Sequence, residues 1–388
     1  MRPRGLVALL AVSPALAGAQ GAKMLAKPDA EFAEPFTSVT GIRELRDGRV
    51  VTIDVRDKLV QIVDFKGGSA TKVGREGSGP GEYALPMRLL ALPGDSSAVF
   101  DPLNSRLLVI TPDGKAAGFI RMQDAPAGAP GRGFRAGFAP PRFADARGRL
   151  YWQGQSIQFR EGAPPIEGDS APILRLDRAT EKVDTVAFVR VPKGNVSASG
   201  GPGRVQMRVG LSNPFVARDE WGVLPDGRVA VLRSPEYRMD LVGAGRKATV
   251  GTPIGYTGLD LTDKHKQQWR DARKNQVAIM MTIDNGQRRA SAGPPPTDAP
   301  EPSDWPDVLP PFLENSAFPA PNGTIWVART REAGDETPNF DVLDASGKVV
   351  ARYELPKGTR LVGVGNGVVY AVRNDEDDLQ YLQRYRVQ

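Results

Sequence analysis

A strand-turn-strand phrase recurs along this chain at intervals close to the length of a propeller blade. Each copy has an apolar strand, a glycine turn, a second apolar strand and a bounded third strand. Most of the turn glycines lie roughly 44 to 54 residues apart, which is close to one blade. The copies fall at residues 42–65, 89–111, 143–176, 215–242, 318–343 and 361–387. The repeat therefore predicts an all-β fold, a six-bladed β-propeller with four-stranded antiparallel blades.

The spacing also predicts where each blade lies. The six blades are expected near residues 39–83, 85–122, 137–192, 215–256, 312–358 and 359–388. The last of these has sequence for only about three strands, whereas residues 30–39 form an unpaired candidate strand. We expect this N-terminal strand to close the last blade, because closure removes an exposed sheet edge. The propeller as a whole is expected to span residues 24–388.

Two interruptions separate the later blades. Residues 191–214 are rich in Gly, Ser and Pro and predict a long loop. Residues 257–311 predict a helical and Pro-rich insertion between blades 4 and 5. Its first part has apolar residues at helical spacing over 260–283, and Thr262 with Asp263 provides an N-terminal cap. The Pro-rich remainder is expected to be extended or mobile, and the helix to lie over one end of the ring.

The start of the chain is typical of a secretory signal peptide. Arg2 and Arg4 are followed by an apolar stretch over residues 5–17 and by small residues up to Ala19, which predicts cleavage after residues 1–19. No later segment approaches the roughly 20 apolar residues of a membrane helix. We therefore expect a secreted or periplasmic protein whose mature chain has no transmembrane anchor.

Composition excludes several chemistries. The chain has no cysteine, so it has no disulfide, thiolate metal site, thiol nucleophile or lipid-modified cysteine. Its formal charge of +6 falls by two when Arg2 and Arg4 are removed, and no basic run is present, so no nucleic-acid partner is expected. A histidine-ligated zinc is excluded because His265 is the one histidine. His265 lies between two lysines and is expected to be exposed on the inserted helix.

Two short motifs add to the repeat. Residues 74–83 read GREGSGPGEY and residues 101–106 read DPLNSR, with a degraded echo, SGGPGR, at 199–204. In these motifs the chain resembles the bacterial extracytoplasmic six-bladed β-propellers of the NHL and TolB-like kind, over nearly its whole mature length. The resemblance implies that the glycine-rich segment is a structural connection between two blades, and it identifies no substrate.

Polar turn residues suggest a binding face. In a propeller the turns between second and third strands share one face with the connections between blades, and loops are where function concentrates. The ligand-binding candidates on this face are Asp54, Arg56, Asp101, Asn104, Arg233, Glu236, Arg329, Arg331 and Asn374. Oxygen ligands of this type can hold Ca²⁺, for which Asp54, Asp101 and Asp375 are the candidate carboxylates. Tight turns also select Asp and Asn, so solvated hairpin residues are the alternative.

Arginine and tryptophan side chains suggest other ligands. If the arginines of the long connections converge, they favour an anionic ligand such as an acidic glycan or a peptide carboxylate, because guanidinium groups pair with carboxylates in forked geometry. These arginines are Arg132, Arg135, Arg142, Arg204 and Arg208. The candidates for stacking on a sugar are Trp221, Trp269 and Trp305, while Trp152 and Trp326 fall inside strands and predict blade packing.

The sequence leaves two classes of function open. The first is a secreted or periplasmic binding or interaction module whose partner is an envelope protein, a peptide or a glycan. The alternative is a calcium-dependent lactonase or esterase-type hydrolase with its site at the mouth of the propeller channel. No Gly-x-Ser-x-Gly elbow is present, and a Ser–His nucleophile would have to recruit His265. Three carboxylates around a bound calcium would favour the enzyme.

Overall fold

Six sheets, each containing a four-stranded antiparallel meander, make up most of the described structure. It is a computed structural model, and it describes residues 21–121, 140–154, 156–160, 163–192, 196–199, 206–209, 213–274, 278–284, 287–293, 301–302 and 304–387. The predicted fold, a six-bladed β-propeller, is therefore confirmed. The predicted signal peptide, residues 1–19, lies outside the described residues.

The strands of the six blades follow one another along the chain. Blade 1 contains Val39–Glu44, Val50–Asp54, Leu59–Asp64 and Ser69–Lys72. Blade 2 contains Arg88–Ala91, Ser97–Asp101, Arg106–Ile110 and Ala116–Arg121. Blade 3 contains Phe143–Ala144, Leu150–Gln153, Ser170–Asp177 and Lys182–Arg190. Blade 4 contains Glu220–Val223, Val229–Arg233, Arg238–Val242 and Ala248–Thr249. Blade 5 contains Ala317–Pro319, Ile325–Ala328, Asn339–Leu343 and Val349–Glu354. Blade 6 contains Thr359–Val364, Val368–Asn374 and Gln380–Arg386, and its fourth strand is Ala30–Glu31.

The first strands of the blades form the inner ring. Each contacts the first strand of the next blade, and the first strand of blade 6 contacts that of blade 1, so the ring closes around a central channel. Four antiparallel strands bring the chain back to the end at which it entered the blade. All six first strands therefore begin at the same end of the channel, which we call the channel entrance.

The N-terminal segment extends two blades. Ala30–Glu31 pairs antiparallel with Gln380–Arg386 and supplies the fourth strand of blade 6. The paired segment is shorter than the ten residues considered from sequence, because Val39 already begins the first strand of blade 1. Lys23–Met24 adds in parallel to Val349–Glu354 at the outer edge of blade 5. Both outer edges are thus covered by the start of the chain.

Apolar side chains fill the space between every pair of adjacent blades. Six buried clusters are present, one at each blade interface, because alternate residues of each strand face opposite neighbours. Each interface contains a large aromatic residue. In order from blades 1/2 to blades 6/1 these are Tyr83, Phe100, Trp221, Tyr237, Trp326 and Tyr370. Burial between the sheets is the main stabilising term of the ring.

Tight turns join the strands of each blade. The Asp-Gly turn before Val229 is an example, since Gly227 has φ of +88°. That backbone conformation favours glycine, and an added Cβ would also displace the Arg149 guanidinium, which would lie 2.2 Å away. Two 3-10 turns are also present: Pro93–Asp95 joins the first and second strands of blade 2, and Ala244–Arg246 joins the third and fourth strands of blade 4.

Two hairpins interrupt blade 3 and its connection to blade 4. Ile157–Arg160 pairs with Ala163–Glu167 between the second and third strands of the blade. Val196–Ser199 pairs with Gln206–Val209 within the segment that was predicted to be a long loop. That prediction was wrong for the described part of the segment, because three of its five glycines lie between two stretches that each contain a valine and pair as strands.

The insertion between blades 4 and 5 contains a shorter helix than expected. The helix spans Asp263–Lys274, and Ala278–Asp284 is a strand paired with Gln287–Gly293. The helical spacing was misleading here, because an Asn-Gly pair between alternating strands favours a hairpin. Leu259–Asp260 pairs with Val308–Leu309 and joins the ends of the insertion. In the part of the chain that is described, no helix is long and apolar enough to cross a membrane.

Candidate functional site

The buried aspartates at the ends of second strands hold the main chain. Asp54 is 1% exposed, and its Oδ2 accepts the N–H groups of Thr37 and Ser38 at 2.6 and 2.9 Å. Its Oδ1 accepts the N–H groups of Arg56 and Asp57, both at 3.1 Å. Four main-chain donors thus occupy one carboxylate, which fixes the connection that enters blade 1.

Asp101 has the same role in blade 2. It is fully buried, and it accepts the N–H groups of Ala84 and Leu85 at 2.9 and 3.1 Å. Nδ2 of Asn104 donates to Asp101 at 2.6 Å and to the carbonyl oxygen of Gly77 at 3.0 Å. Asn104 therefore ties the turn of blade 2 to the glycine-rich segment that precedes it.

The glycine-rich segment is folded tightly against blade 2. Short strands Arg75–Glu76 and Glu82–Tyr83 pair in parallel within it. Gly74 has φ of +66°, and a Cβ there would lie 2.5 Å from a main-chain oxygen. The Arg106 guanidinium donates to three carbonyl oxygens of this segment and lies 3.8 Å from the Phe119 ring centroid. A cavity of about 470 Å³ opens beside Arg106, but Arg106 and Asn104 are already engaged with the chain.

The other predicted face residues are spread over four blades. Arg233 is paired with Asp219 and Asp240, at 2.6 and 2.9 Å, and Arg329 is paired with Asp341 at 2.8 Å. Glu236 is an exposed partner of Arg238. The remaining three candidates are exposed or half-buried with no side-chain partner among the described residues: Arg56, Arg331 and Asn374. The structure gathers these residues into no single cluster.

The carboxylates proposed for calcium do not form a shared ligand set. Oδ1 of Asp375 accepts the N–H groups of Asp377 and Leu379 within its own turn. Asp54 and Asp101 are occupied by main-chain donors in blades 1 and 2. Among the described residues no group of three or more histidine, aspartate or glutamate side chains is placed to hold a metal ion. Calcium remains a prediction that these residues do not support.

Four charged residues lie at the entrance ends of first strands. Arg88 begins the first strand of blade 2, Arg142 directly precedes that of blade 3, Glu220 begins that of blade 4, and Arg360 is second in that of blade 6. Nη2 of Arg142 donates to Oε2 of Glu220 at 2.6 Å. The Arg142 guanidinium also lies 5.6 Å from the Trp221 ring centroid, within cation–π range. We call these four residues the entrance group.

Two of the entrance arginines have no acidic partner among the described residues. Arg88 is half-buried and makes no hydrogen bond or ion pair with them. Burial, and then the positive charge of Arg142, lower the pKa of Arg88 to about 10, so it stays charged at neutral pH. Nη2 of Arg360 donates to the carbonyl oxygen of Val39 at 2.8 Å and to Oε1 of Gln380 at 3.3 Å, both neutral acceptors.

Desolvation by the surrounding protein lowers the pKa of Arg360, although its side chain is exposed.

Of the five arginines that were predicted to converge, only Arg142 has a described side chain. Arg142 lies at the entrance, whereas Arg132, Arg135 and Arg204 lie outside the described residues and the side chain of Arg208 is not described. Sequence reasoning missed Arg88 and Arg360, because each is a single arginine at the start of an apolar strand. Their position at the start of the strands of residues 88–91 and 359–364 was the only available signal.

The aromatic candidates are packed within the protein. Trp221 is 1% exposed, and Trp152 and Trp326 are buried in their blades as expected. Trp305 packs edge-on against Trp269, with ring centroids 5.5 Å apart. Trp221 is therefore inaccessible to a ligand, whereas Trp269 and Trp305 are half-buried and contact each other.

His265 anchors the inserted helix. It is 8% exposed, so the expectation of an exposed histidine was wrong. Its Nδ1 accepts the N–H group of Thr262 at 3.1 Å, which leaves the proton on Nε2, and Nε2 donates to the carbonyl oxygen of Arg331 at 3.2 Å. Phe215 packs edge-on against the ring, with centroids 6.2 Å apart. The histidine fixes the helix over blades 4 and 5.

Solved structures that resemble this chain are distant propellers. They include a putative exported protein of Bacteroides fragilis, with 12% identity and a TM-score of 0.45, over 94% of this chain and 100% of that one. Regucalcin of Agrobacterium tumefaciens, a calcium-binding protein, has 12% identity and a TM-score of 0.41, over 95% and 97%. A gluconolactonase of Xanthomonas campestris has 11% identity and a TM-score of 0.40, over 92% and 91%. No family model and no curated protein matches the sequence. Likeness at this level transfers no activity or ligand.

Proposed function

We propose that this protein is an exported binding module that holds its ligand at the channel entrance. The observation that carries the proposal is Arg88, a half-buried guanidinium with no partner among the described residues, at the mouth of the ring. An unpaired charge in such a position costs stability, and a ligand would offset that cost. The predicted signal peptide and the resemblance to NHL and TolB-like propellers support an extracytoplasmic location.

The buried aspartates favour binding over metal-dependent hydrolysis. Asp54 and Asp101 accept four and three hydrogen bonds from the protein itself, so all four acceptor sites of Asp54 and three of the four of Asp101 are already occupied. In the alternative function, a calcium-dependent lactonase, these same carboxylates would have to give up hydrogen bonds with main-chain N–H groups in order to bind calcium.

One experiment compares the two functions directly. The secreted, processed protein is incubated with panels of glycans, peptides and lactones, with calcium or with chelator, while hydrogen exchange and lactone turnover are measured. We expect a ligand to protect the segments around residues 88–91, 140–144 and 220–223 without turnover and without a need for calcium. Calcium-dependent lactone hydrolysis that is lost in a folded Asp54→Asn variant would overturn the proposal.

The export prediction has its own measurement. When the full chain is expressed in a bacterial host that exports proteins and cleaves their signal peptides, mass spectrometry of the secreted protein should give an N-terminus close to residue 18 or 20. A secreted or cell-retained protein that still begins at Met1 would contradict export by a cleavable signal peptide.

A further inference from the structure

The entrance group has an excess of positive charge. Of its three arginines, only Arg142 has an acidic partner, since Glu220 is 3% exposed and bonded to Arg142 at 2.6 Å. Arg88 has no partner among the described residues, and Arg360 donates only to neutral oxygens. Two guanidinium charges are therefore uncompensated within the described chain at the mouth of one channel.

These two charges lie on either side of blade 1. Arg360 belongs to blade 6 and touches Val39, the first residue of the first strand of blade 1. Arg88 belongs to blade 2, whose first strand contacts the same strand of blade 1 from the other side. The positive charges are thus separated along an arc of the entrance and are not gathered at one point.

We propose that the channel entrance binds a small dianion with two separated carboxylate groups, one at Arg88 and one at Arg360. This inference rests on the proposed binding function and adds the chemical class of the ligand. Each guanidinium offers a planar fork of N–H donors that matches a carboxylate. The carboxylate at Arg88 also relieves the repulsion between Arg88 and Arg142, which a neutral ligand cannot do.

Isothermal titration with a graded series of acids tests the class. The probes are malonate, succinate, glutarate and adipate, with acetate, inorganic phosphate and succinamide as comparison ligands, at constant ionic strength. We expect at least one dicarboxylate to bind about tenfold or more tightly than acetate, phosphate and succinamide, since each forked pair adds affinity. Equal affinity for phosphate and every dicarboxylate would overturn the two-point arrangement.

Arginine variants locate the binding site. Arg88→Gln and Arg360→Gln should each weaken dicarboxylate binding about tenfold or more, and Arg88→Lys should fall between Gln and the natural residue. The matched control is Arg147→Gln, which removes the same charge from an exposed turn between the first and second strands of blade 3, at the opposite end of the ring. Dicarboxylate binding that is insensitive to Arg88→Gln, or equally sensitive to Arg147→Gln, would overturn the inference.

Failure of the inference can be told apart from failure of the proposed function. If a neutral glycan or peptide protects the entrance from hydrogen exchange while no dicarboxylate binds, the binding module stands and the dianion inference is wrong. If neither anionic nor neutral ligands protect the entrance, both are wrong. The two arginine variants are expected to fold, because each removes an unpaired or neutrally bonded cation.

Discussion

Arg142 of blade 3 and Glu220 of blade 4 are joined at the channel entrance by a hydrogen bond of 2.6 Å between Nη2 and Oε2. The carboxylate is 3% exposed and the guanidinium 16%. The pair links the first strand of blade 4 to the residue that precedes the first strand of blade 3, and it neutralises one of the three entrance arginines. Its loss would therefore change both the stability of the ring and the charge of the entrance.

Glu220→Gln should separate these two effects. The substitution leaves Arg142 without a counter-charge in a poorly solvated place, so the free energy of unfolding should fall by about 3 kcal/mol. The same change adds a third unpaired cation to the entrance, so dicarboxylate affinity should rise. Urea denaturation measures the first effect and titration the second. A variant with unchanged stability would show that the pair contributes little to the fold.

Arg88→Met should stabilise the protein while it weakens anion binding. The natural residue holds a desolvated charge near a second guanidinium, and methionine keeps much of its apolar length. We expect the free energy of unfolding to increase by about 1 kcal/mol. Arg147→Met is the matched control and should change stability by less than about 0.5 kcal/mol. Loss of stability in Arg88→Met would mean that Arg88 stabilises the fold and would contradict its role as an unpaired ligand-binding residue.

Asp54→Asn should destabilise the protein independently of calcium. An amide offers one acceptor oxygen where the carboxylate offers two, so at least two of the four N–H groups lose their partner, at a cost of about 3 kcal/mol. Asp57→Asn is the control, because Asp57 is exposed and accepts one hydroxyl hydrogen bond from Thr37. Thermal melts with calcium and with chelator should coincide for the natural protein. A calcium-dependent shift that Asp54→Asn abolishes would restore the metal site.

Low pH should weaken the attachment of the closing strand. Burial alone would raise the pKa of Asp29, but hydrogen bonds and charges from Arg384 and Arg386 outweigh it and lower the pKa below 3.8. The Arg373 hydrogen bond lowers the pKa of Glu31 below 4.5. Both carboxylates have a lower pKa in the folded state than in the unfolded state. The stabilisation is therefore present above about pH 4.5, and it is lost as the pH falls through the folded-state pKa values of the two carboxylates.

The double variant Asp29→Asn with Glu31→Gln tests this dependence. It should lower stability at pH 7 by about 1 kcal/mol, since the pairs are partly exposed, and it should flatten the acid limb of the stability curve. Urea midpoints between pH 7 and pH 3 provide the measurement. An acid limb identical to that of the natural protein would assign the pH dependence to other carboxylates.

The repeat specified the fold because it is local and redundant. Each blade carries its own turn glycine, alternating strands and interface residue, as in the pairing of Val50–Asp54 with Leu59–Asp64. The wrong predictions fell in the insertions. An insertion occurs once, so no repeated copy was present to distinguish a helix from a hairpin. The strand Ala278–Asp284 shows this, because its apolar residues fit helical spacing as well as they fit alternation.

The candidate site was less predictable because it depends on neighbours distant in sequence. The position of Asp54 at the end of a strand was apparent, but its use by Thr37 and Ser38 depends on how the chain enters blade 1. Arg88 and Arg360 lie 272 residues apart, as their numbers show, and only closure of the ring places both at one entrance. A charge pattern of this kind has no sequence motif.

The closing strand also sets the order in which the protein can fold. Asp29 is paired with Arg384 across 355 residues, and blade 6 lacks its fourth strand until that pairing forms. Contacts of such sequence separation form late and slowly. During synthesis the ring can therefore close only when almost the entire chain has been released, and a protein that lacks Gln380–Arg386 would lose the partner of Ala30–Glu31.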